Sequence, residues 1–358
     1  MGSTFADTLE DFCEYFPTSL ISTAGFFHLS KIVEKFPPLM LPGIGFESRL
    51  YDKNPSLDLF FSIEKEFQDK VGLPEGLNFN ESLFSHFVWQ NILHFCKQWS
   101  VPGSVLEKSI NTVFFEFDVG DSIADIPVPA VFLQLNDSMY RVNPDQQESN
   151  FKKLIRPDCD WVFEFLSLLK NRTITSATKD SAWRCFASLP PGTIIDHAAI
   201  MLSRTPDVMR LNVAHLSEEL LYDYLEKIGL GHRILDIQPR LSTYCGFIDH
   251  MVLALDVGEE IYPRIGIELR MPKIGLELAT QKNWYPFLDY LVKENLCTKE
   301  KRDGLVSWSG RSRDIYDPVL YKYMIYRHIN FFKAVFEPDQ PPRLKAYFSL
   351  VFQEMKKS

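Results

Sequence analysis

The sequence predicts an α+β fold, a closed antiparallel barrel of about ten strands ringed by helices. Three observations lead there. A strand–turn–strand unit recurs about five times along the 358 residues, with helical patterning in the gaps between copies, the mark of a repeat architecture. The strands alternate cleanly between apolar and polar side chains, as a period of two requires when the two faces meet different surroundings. The polar positions carry Arg, Asp, Glu, Tyr and Phe, a mixture suited to a ligand-filled interior. Ten closed strands leave a lumen too wide for side chains alone to fill, and their apolar outer faces need a helical cover. The competing architecture is an α+β protein whose sheet has one solvated face.

Residues 4–36 read as two helices, broken at Thr18-Ser19 and stopped by Pro37-Pro38. The first hairpin runs from Gly45 to Tyr51, turns through Asp52–Ser56 and returns along Leu57–Ile63. Helical patterning resumes at 82–99, where Leu83, Phe87, Ile92, Phe95 and Trp99 share a broad apolar face. The second hairpin spans about 112–135, leaving through Asp118-Val-Gly and returning along Pro129–Leu135. A helical stretch over 151–171, a Ser/Thr-rich link and a short helix near 180–187 follow. Hairpin three pairs Ile194–Arg204 with Val208–Ala214 across a Thr-Pro-Asp turn. Ser217 caps the next helix, which runs to Gly229, and Glu218 and Glu219 complement its dipole.

The fourth hairpin, about 248–271, repeats the second: Met251–Gly258 leaves through Asp256-Val-Gly and Ile265–Leu269 returns. Helices are expected over 276–296, 298–308 and 315–327, and the last hairpin pairs Ile329–Phe336 with Arg343–Phe352. Asp196-His197, Asp249-His250 and Arg327-His328 each open a strand-like run, which makes the histidines rim residues and not metal ligands. The six tryptophans fall on or beside helices and read as packing between layers. No long linker or low-complexity segment interrupts 1–358, so a single domain is expected.

Composition narrows the function classes. Hydrophobic residues at 46% and charged residues at 24% are ordinary for a globular protein. A net charge of −9 argues against a nucleic-acid partner, which would call for a basic face. It equally disfavours a polybasic membrane patch. The six cysteines lack Cys-x-x-Cys spacing and read as reduced thiols. The early acids Asp7, Glu10 and Asp11 do not suit a signal peptide, and no apolar run reaches the length of a membrane span. A cytoplasmic location is therefore expected. Nucleotide-binding glycine loops, the Gly-x-Ser-x-Gly elbow, the His-Glu-x-x-His zinc motif and paired Asp-rich motifs are all missing.

The alternation assigns the interior. Glu47, Arg49 and Tyr51 share one face of the first strand, and Asp58, Phe60 and Ser62 share one face of its partner. Glu116 groups with Asp118, Arg210 with Asn212, and Gly266 with Glu268 and Arg270. The last strand turns Arg343, Lys345, Tyr347 and Ser349 inward. Phe132 and Lys333 join this list as inner-face candidates. Five cations (Arg49, Arg210, Arg270, Arg343, Lys345) balance five acids (Glu47, Asp58, Glu116, Asp118, Glu268).

A succession of helix-helix-strand-strand units closing a wide antiparallel barrel resembles the ABBA prenyltransferases, the PT-barrel fold, over essentially the whole chain. Locally, Gly45-Phe-Glu-Ser-Arg-Leu is similar to the Phe-Glu-x-Ser segment of the dimethylallyltryptophan synthase branch. Phe117-Asp-Val is similar to the Phe-Asp-Leu of a later strand, and Lys345-Ala-Tyr347 to the Lys-x-Tyr pairs that grip a diphosphate. The family repeats that pattern on several strands, whereas here Ala130-Val-Phe132, Arg210-Leu-Asn212 and Gly266-Ile-Glu268 stand at the other return strands.

The resemblance implies transfer of a prenyl group from an allylic diphosphate to an aromatic, amine or peptide acceptor, in secondary metabolism. No cofactor is required, and Mg²⁺ enters only with the diphosphate, where Asp118 could position it. Arg210, Arg270, Lys333, Arg343 and Lys345 would hold the diphosphate, with Tyr347 as hydrogen-bond donor. Phe60, Phe132, Tyr51 and Tyr347 would shield the allylic cation. Glu47 would take the acceptor's proton, with Glu116 as second choice. Arg49, Asp58 and Glu268 complete the expected substrate-binding set. Two other readings stay open: a different enzyme on this barrel, holding a cationic or zwitterionic substrate on its interior acids, and a binding module whose interior is merely packed.

Overall fold

The computed structural model describes residues 9–36, 43–65, 81–119, 126–136, 160–203, 208–271, 281–312 and 323–354. Eleven strands are found among them: β1 (Gly43–Arg49), β2 (Leu57–Glu64), β3 (Ile110–Phe117), β4 (Ala130–Leu135), β5 (Ile194–Met201), β6 (Met209–Leu216), β7 (His250–Val257), β8 (Ile261–Arg270), β9 (Gly310–Ser312), β10 (Tyr323–Phe336) and β11 (Arg343–Glu354). Neighbours in sequence pair antiparallel from β1 to β8, β8 pairs with β10, and β10 with β11. The circle closes where β11 pairs with β1, from Gly43 opposite Val351 to Arg49 opposite Lys345. Ten strands therefore form a closed antiparallel barrel, and short β9 adds to the outer end of β10. Closure removes the unpaired edges of an open sheet.

Helices wrap the outside: α1 (Thr23–Val33), α2 (Phe87–Trp99), α3 (Val105–Ser109), α4 (Asp160–Lys170), α5 (Ser176–Ala187), α6 (Glu218–Lys227), α7 (Ile234–Cys245), α8 (Tyr285–Lys293) and α9 (Lys299–Trp308). Short polar residues start most of them. Ser22, Ser104, Thr175, Ser217 and Thr298 each accept a hydrogen bond from an amide three residues on, satisfying a donor that the first turn would leave orphaned. Among the described residues no helix is long and apolar enough to cross a membrane.

The core lies between barrel wall and helices. Alternate strand residues such as Phe46, Leu59, Phe61, Phe115 and Phe117 point outward and are buried. The indole of Trp89 on α2 stacks on Phe115 and Phe117. Trp284, just ahead of α8, meets Phe332 edge-on at 4.8 Å. Trp308, at the end of α9, packs on Phe16, Phe46 and Phe348. It covers the β1–β11 seam, where the two ends of the barrel join.

The structure departs from the expected elements in three respects. Residues 323–327, expected as the end of a helix, open the long strand β10. The register shifts at five places among the described strands, including between Ile195 and His197 in β5 and between Ile329 and Phe331 in β10, so side chains there leave strict alternation. Asp196-His197 and Arg327-His328 lie within their strands and not ahead of them. The helical stretches 4–8, 151–159, 276–280 and 315–322, the Thr-Pro-Asp turn and Cys159 lie outside the described residues.

Trp308→Ala should lower stability by about 3–5 kcal/mol, the usual range for emptying a large aromatic site. Denaturant unfolding would measure it, and a loss under about 1 kcal/mol would contradict a seam held by this indole.

Candidate functional site

Because a strand's period is two, each barrel strand turns its second side-chain set into the lumen. The lumen divides along its length. One half holds a cavity of about 580 Å³, and the other is filled by ion pairs.

Phe60, Glu116, Phe132, Glu268, Lys333 and Tyr347 come together in the cavity wall from β2, β3, β4, β8, β10 and β11. Gln134 on β4, Asn212 on β6, Arg270 on β8 and His250 on β7 also line the cavity, and the His250 side chain is 40% exposed. Aromatic faces dominate one side. Phe331 stacks on Tyr347 with ring centroids 4.4 Å apart, Phe60 lies 5.9 Å from Tyr347, and the Arg270 guanidinium sits 4.9 Å over Phe331. Room for this wall comes from glycine. A Cβ on Gly45 would fall 1.9 Å from the Phe60 ring, and one on Gly266 would fall 3.0 Å from the Lys333 stem.

Polar groups adjoin this aromatic face along β8 and β10. Glu268, 5% exposed, accepts a hydrogen bond from Arg270 Nη2 at 2.7 Å and faces Lys333 Nζ at 3.5 Å. Burial pushes its carboxyl up, but these two cations more than offset that and hold it below the usual glutamate range. Burial pulls Lys333 down to about 8, with Glu268 opposing and Arg210 and Arg264 adding to the fall. His328 is driven down to about 4 by burial and is neutral near pH 7. Asn212, 4% exposed, carries a side-chain oxygen with no hydrogen-bond partner among the described residues. His197 Nδ1 lies 2.9 Å from Asp196, and its ring meets Phe114 edge-on.

The other half of the lumen is closed by charge pairing. Glu47, 2% exposed, receives Lys345 Nζ at 2.5 Å and the Tyr347 hydroxyl. Burial alone would raise its carboxyl; the Lys345 charge and both hydrogen bonds more than offset this and hold it at about 2. Arg49 pairs with Asp58 at 2.5 Å, and the Val119 amide donates to the same carboxylate. Burial and the Glu47 charge nevertheless raise Asp58 to about 7. Arg210 and Arg264 both hold Asp256, at 2.8 and 3.0 Å, and Arg264 also reaches Glu337.

Of the residues singled out in the sequence, Glu116, Phe60, Phe132, Glu268, Arg270, Lys333 and Tyr347 line the cavity. Glu47, Arg49, Asp58, Arg210 and Lys345 do not; they are engaged in the ion pairs of the other half. Arg343, at the start of β11, donates to Gln340 in the hairpin turn. Tyr51, expected on the inner face, lies beyond the end of β1 and is 40% exposed. Sequence reasoning missed Asp196 and Asn330 as wall residues because they sit at the bulges of β5 and β10, and it missed Phe331 although that residue shares a face with Lys333. Asn212 and Phe114 were legible, sharing faces with Arg210 and Glu116. Among the described residues no three His, Cys, Asp or Glu side chains converge in a way that could hold a metal ion.

No protein-family model matches the chain, and no curated protein matches it in sequence. Solved structures do match. The 5-dimethylallyltryptophan synthase of Streptomyces coelicolor is 12% identical, with 97% of each chain covered and a TM-score of 0.52. The prenyltransferase PriB without ligand is 12% identical, with 97% of this chain and 96% of that one covered and a TM-score of 0.50. PriB bound to product diphosphate is 11% identical over the same coverage, also at 0.50. At this identity the likeness speaks for the fold alone: the chain has the ABBA, or PT-barrel, architecture that the 5-dimethylallyltryptophan synthase and the prenyltransferase PriB share.

Proposed function

We propose that this protein transfers a prenyl group from an allylic diphosphate to an aromatic or other nucleophilic acceptor inside the barrel. The observation that carries the proposal is the aromatic-walled cavity of about 580 Å³ in a PT-barrel, with Lys333 and Arg270 in its wall. In this reaction the bond between the allylic carbon and the diphosphate oxygen breaks, and its electron pair leaves with the diphosphate. The acceptor's nucleophilic atom forms the new bond to that carbon and loses a proton. Lys333 and Arg270 stabilise the leaving charge. The faces of Phe60, Phe331 and Tyr347 stabilise the allylic cation and keep water from it.

Glu116 takes the proton, since it lines the cavity and a base must reach the atom it deprotonates. Glu47 sits beneath Tyr347 and receives its hydroxyl. Its role is positioning: it fixes the ring that Phe331 stacks upon. One observation favours a second reading. The cavity wall holds three carboxylates, Glu116, Asp196 and Glu268, against Arg270 and Lys333, which would suit an amine-bearing or zwitterionic substrate.

Three outcomes test these readings. Saturating dimethylallyl diphosphate should raise Tm by a few °C, because a ligand at about 100 times its Kd adds roughly 2.7 kcal/mol to the native state. A shift with amines and none with any prenyl diphosphate would move the assignment to the second reading. Affinity for the fully ionised diphosphate should fall as pH rises past about 8, where Lys333 loses its proton; a Lys333→Met variant should lack that fall. Glu116→Gln should lower turnover by about 10²–10⁴ with donor Kd unchanged, the usual span for losing a general base. Should Glu47→Gln cost more turnover than Glu116→Gln at equal stability, the two roles are reversed.

A further inference from the structure

Glu268 sits where an anionic ligand would be held. Its two oxygens face different cations, Oε2 toward Arg270 at 2.7 Å and Oε1 toward Lys333 at 3.5 Å. Backbone register fixes this arrangement. Glu268 lies directly across from Lys333 in the β8–β10 ladder, and Arg270 follows two residues later on the same face. Gly266, on that face too, leaves space for the Lys333 stem. All three charged side chains line the cavity, and Arg270 keeps a buried Nε with no partner among the described residues. A carboxylate bridging a guanidinium and an ammonium copies the contacts that a phosphate oxygen pair would make.

We propose that Glu268 is a built-in anion occupying the diphosphate position, so that a diphosphate binds by displacing its carboxylate from Arg270 and Lys333. The inference rests on the prenyl-transfer reading for the identity of the ligand, and adds a specificity-determining residue to that site. Arg270 and Lys333 against the Glu268 carboxylate leave +1 within this three-residue cluster, while Asp196 and Glu116 stand elsewhere in the same wall. Only ligands carrying two or more negative charges in a compact group gain from evicting it, so monoanions such as simple carboxylates are discriminated against. The same contact keeps both cations ordered in the empty cavity.

The test is calorimetric titration of metal-free inorganic pyrophosphate into wild type and Glu268→Gln at pH 7, with no turnover involved. Glu268→Gln removes the internal competitor and keeps the side chain's size. Pyrophosphate should bind it at least about tenfold more tightly, a gain of about 1.4 kcal/mol, and Glu268→Gln/Lys333→Met should fall back toward wild type. Equal or weaker binding by a Glu268→Gln variant whose circular dichroism and Tm show it folded overturns the proposal. If that variant does not fold, Glu268→Asp carries the test, since it keeps the charge but draws it back from Arg270. Tighter pyrophosphate binding than wild type supports the proposal, and no gain overturns it. Tighter pyrophosphate binding without prenyl transfer by any variant would leave the Glu268 assignment standing while removing the proposed reaction. Prenyl transfer by wild type with no gain in Glu268→Gln would do the reverse.

Discussion

A closed barrel withdraws half of every strand from bulk water, and a charge placed on that inner face must find a counter-charge within reach. Moving a lone carboxylate or ammonium out of water costs several kcal/mol even after relaxation. The lumen answers this residue by residue: Lys345 meets Glu47, Arg49 meets Asp58, two arginines share Asp256, and Arg270 and Lys333 share Glu268. Such pairs add little net stability, but removing one member leaves an uncompensated charge. They therefore fix which strand faces which, and they divide the lumen into a sealed half and a hollow one. In the hollow half Phe60, Phe331 and Tyr347 share the wall with Glu268, Arg270 and Lys333.

The inward face was legible because strand period is a local property. Glu116, Glu268, Arg270 and Tyr347 could be assigned to the lumen from their own strands alone. Their depth along the axis could not. Lys345 and Glu47 are 298 residues apart in sequence, and their meeting depends on the β1–β11 register that closes the circle. For the same reason Lys345 and Arg210 read as ligand contacts in the sequence while the fold pairs them internally. Bulges erased the signal in β5 and β10, where one extra residue reverses the face of all that follow. Residues 323–327 fit helical spacing as well as strand spacing, and pairing with β9 and β11 decides between them.

Architecture and chemistry separate cleanly in this molecule. The wall of alternating side chains, the capped helices and the buried tryptophans specify a PT-barrel without reference to any substrate. What the barrel does is carried by a few lumen positions, since a fold by itself does not fix an activity. On β8 the inward positions include Gly266 and Glu268, and Glu268 stands across from Lys333 of β10.

Gly45 has a wider meaning than its place in β1. The Phe60 ring lies against its bare backbone, so close that a single methyl group would force the ring forward. The floor of the hollow is thus set by a residue with no charge, no hydrogen bond from a side chain and no contact with any ionic partner. Depth can be shortened by one substitution at that position while the electrostatics stay as they are, which makes the length of an occupant and its polarity independently adjustable.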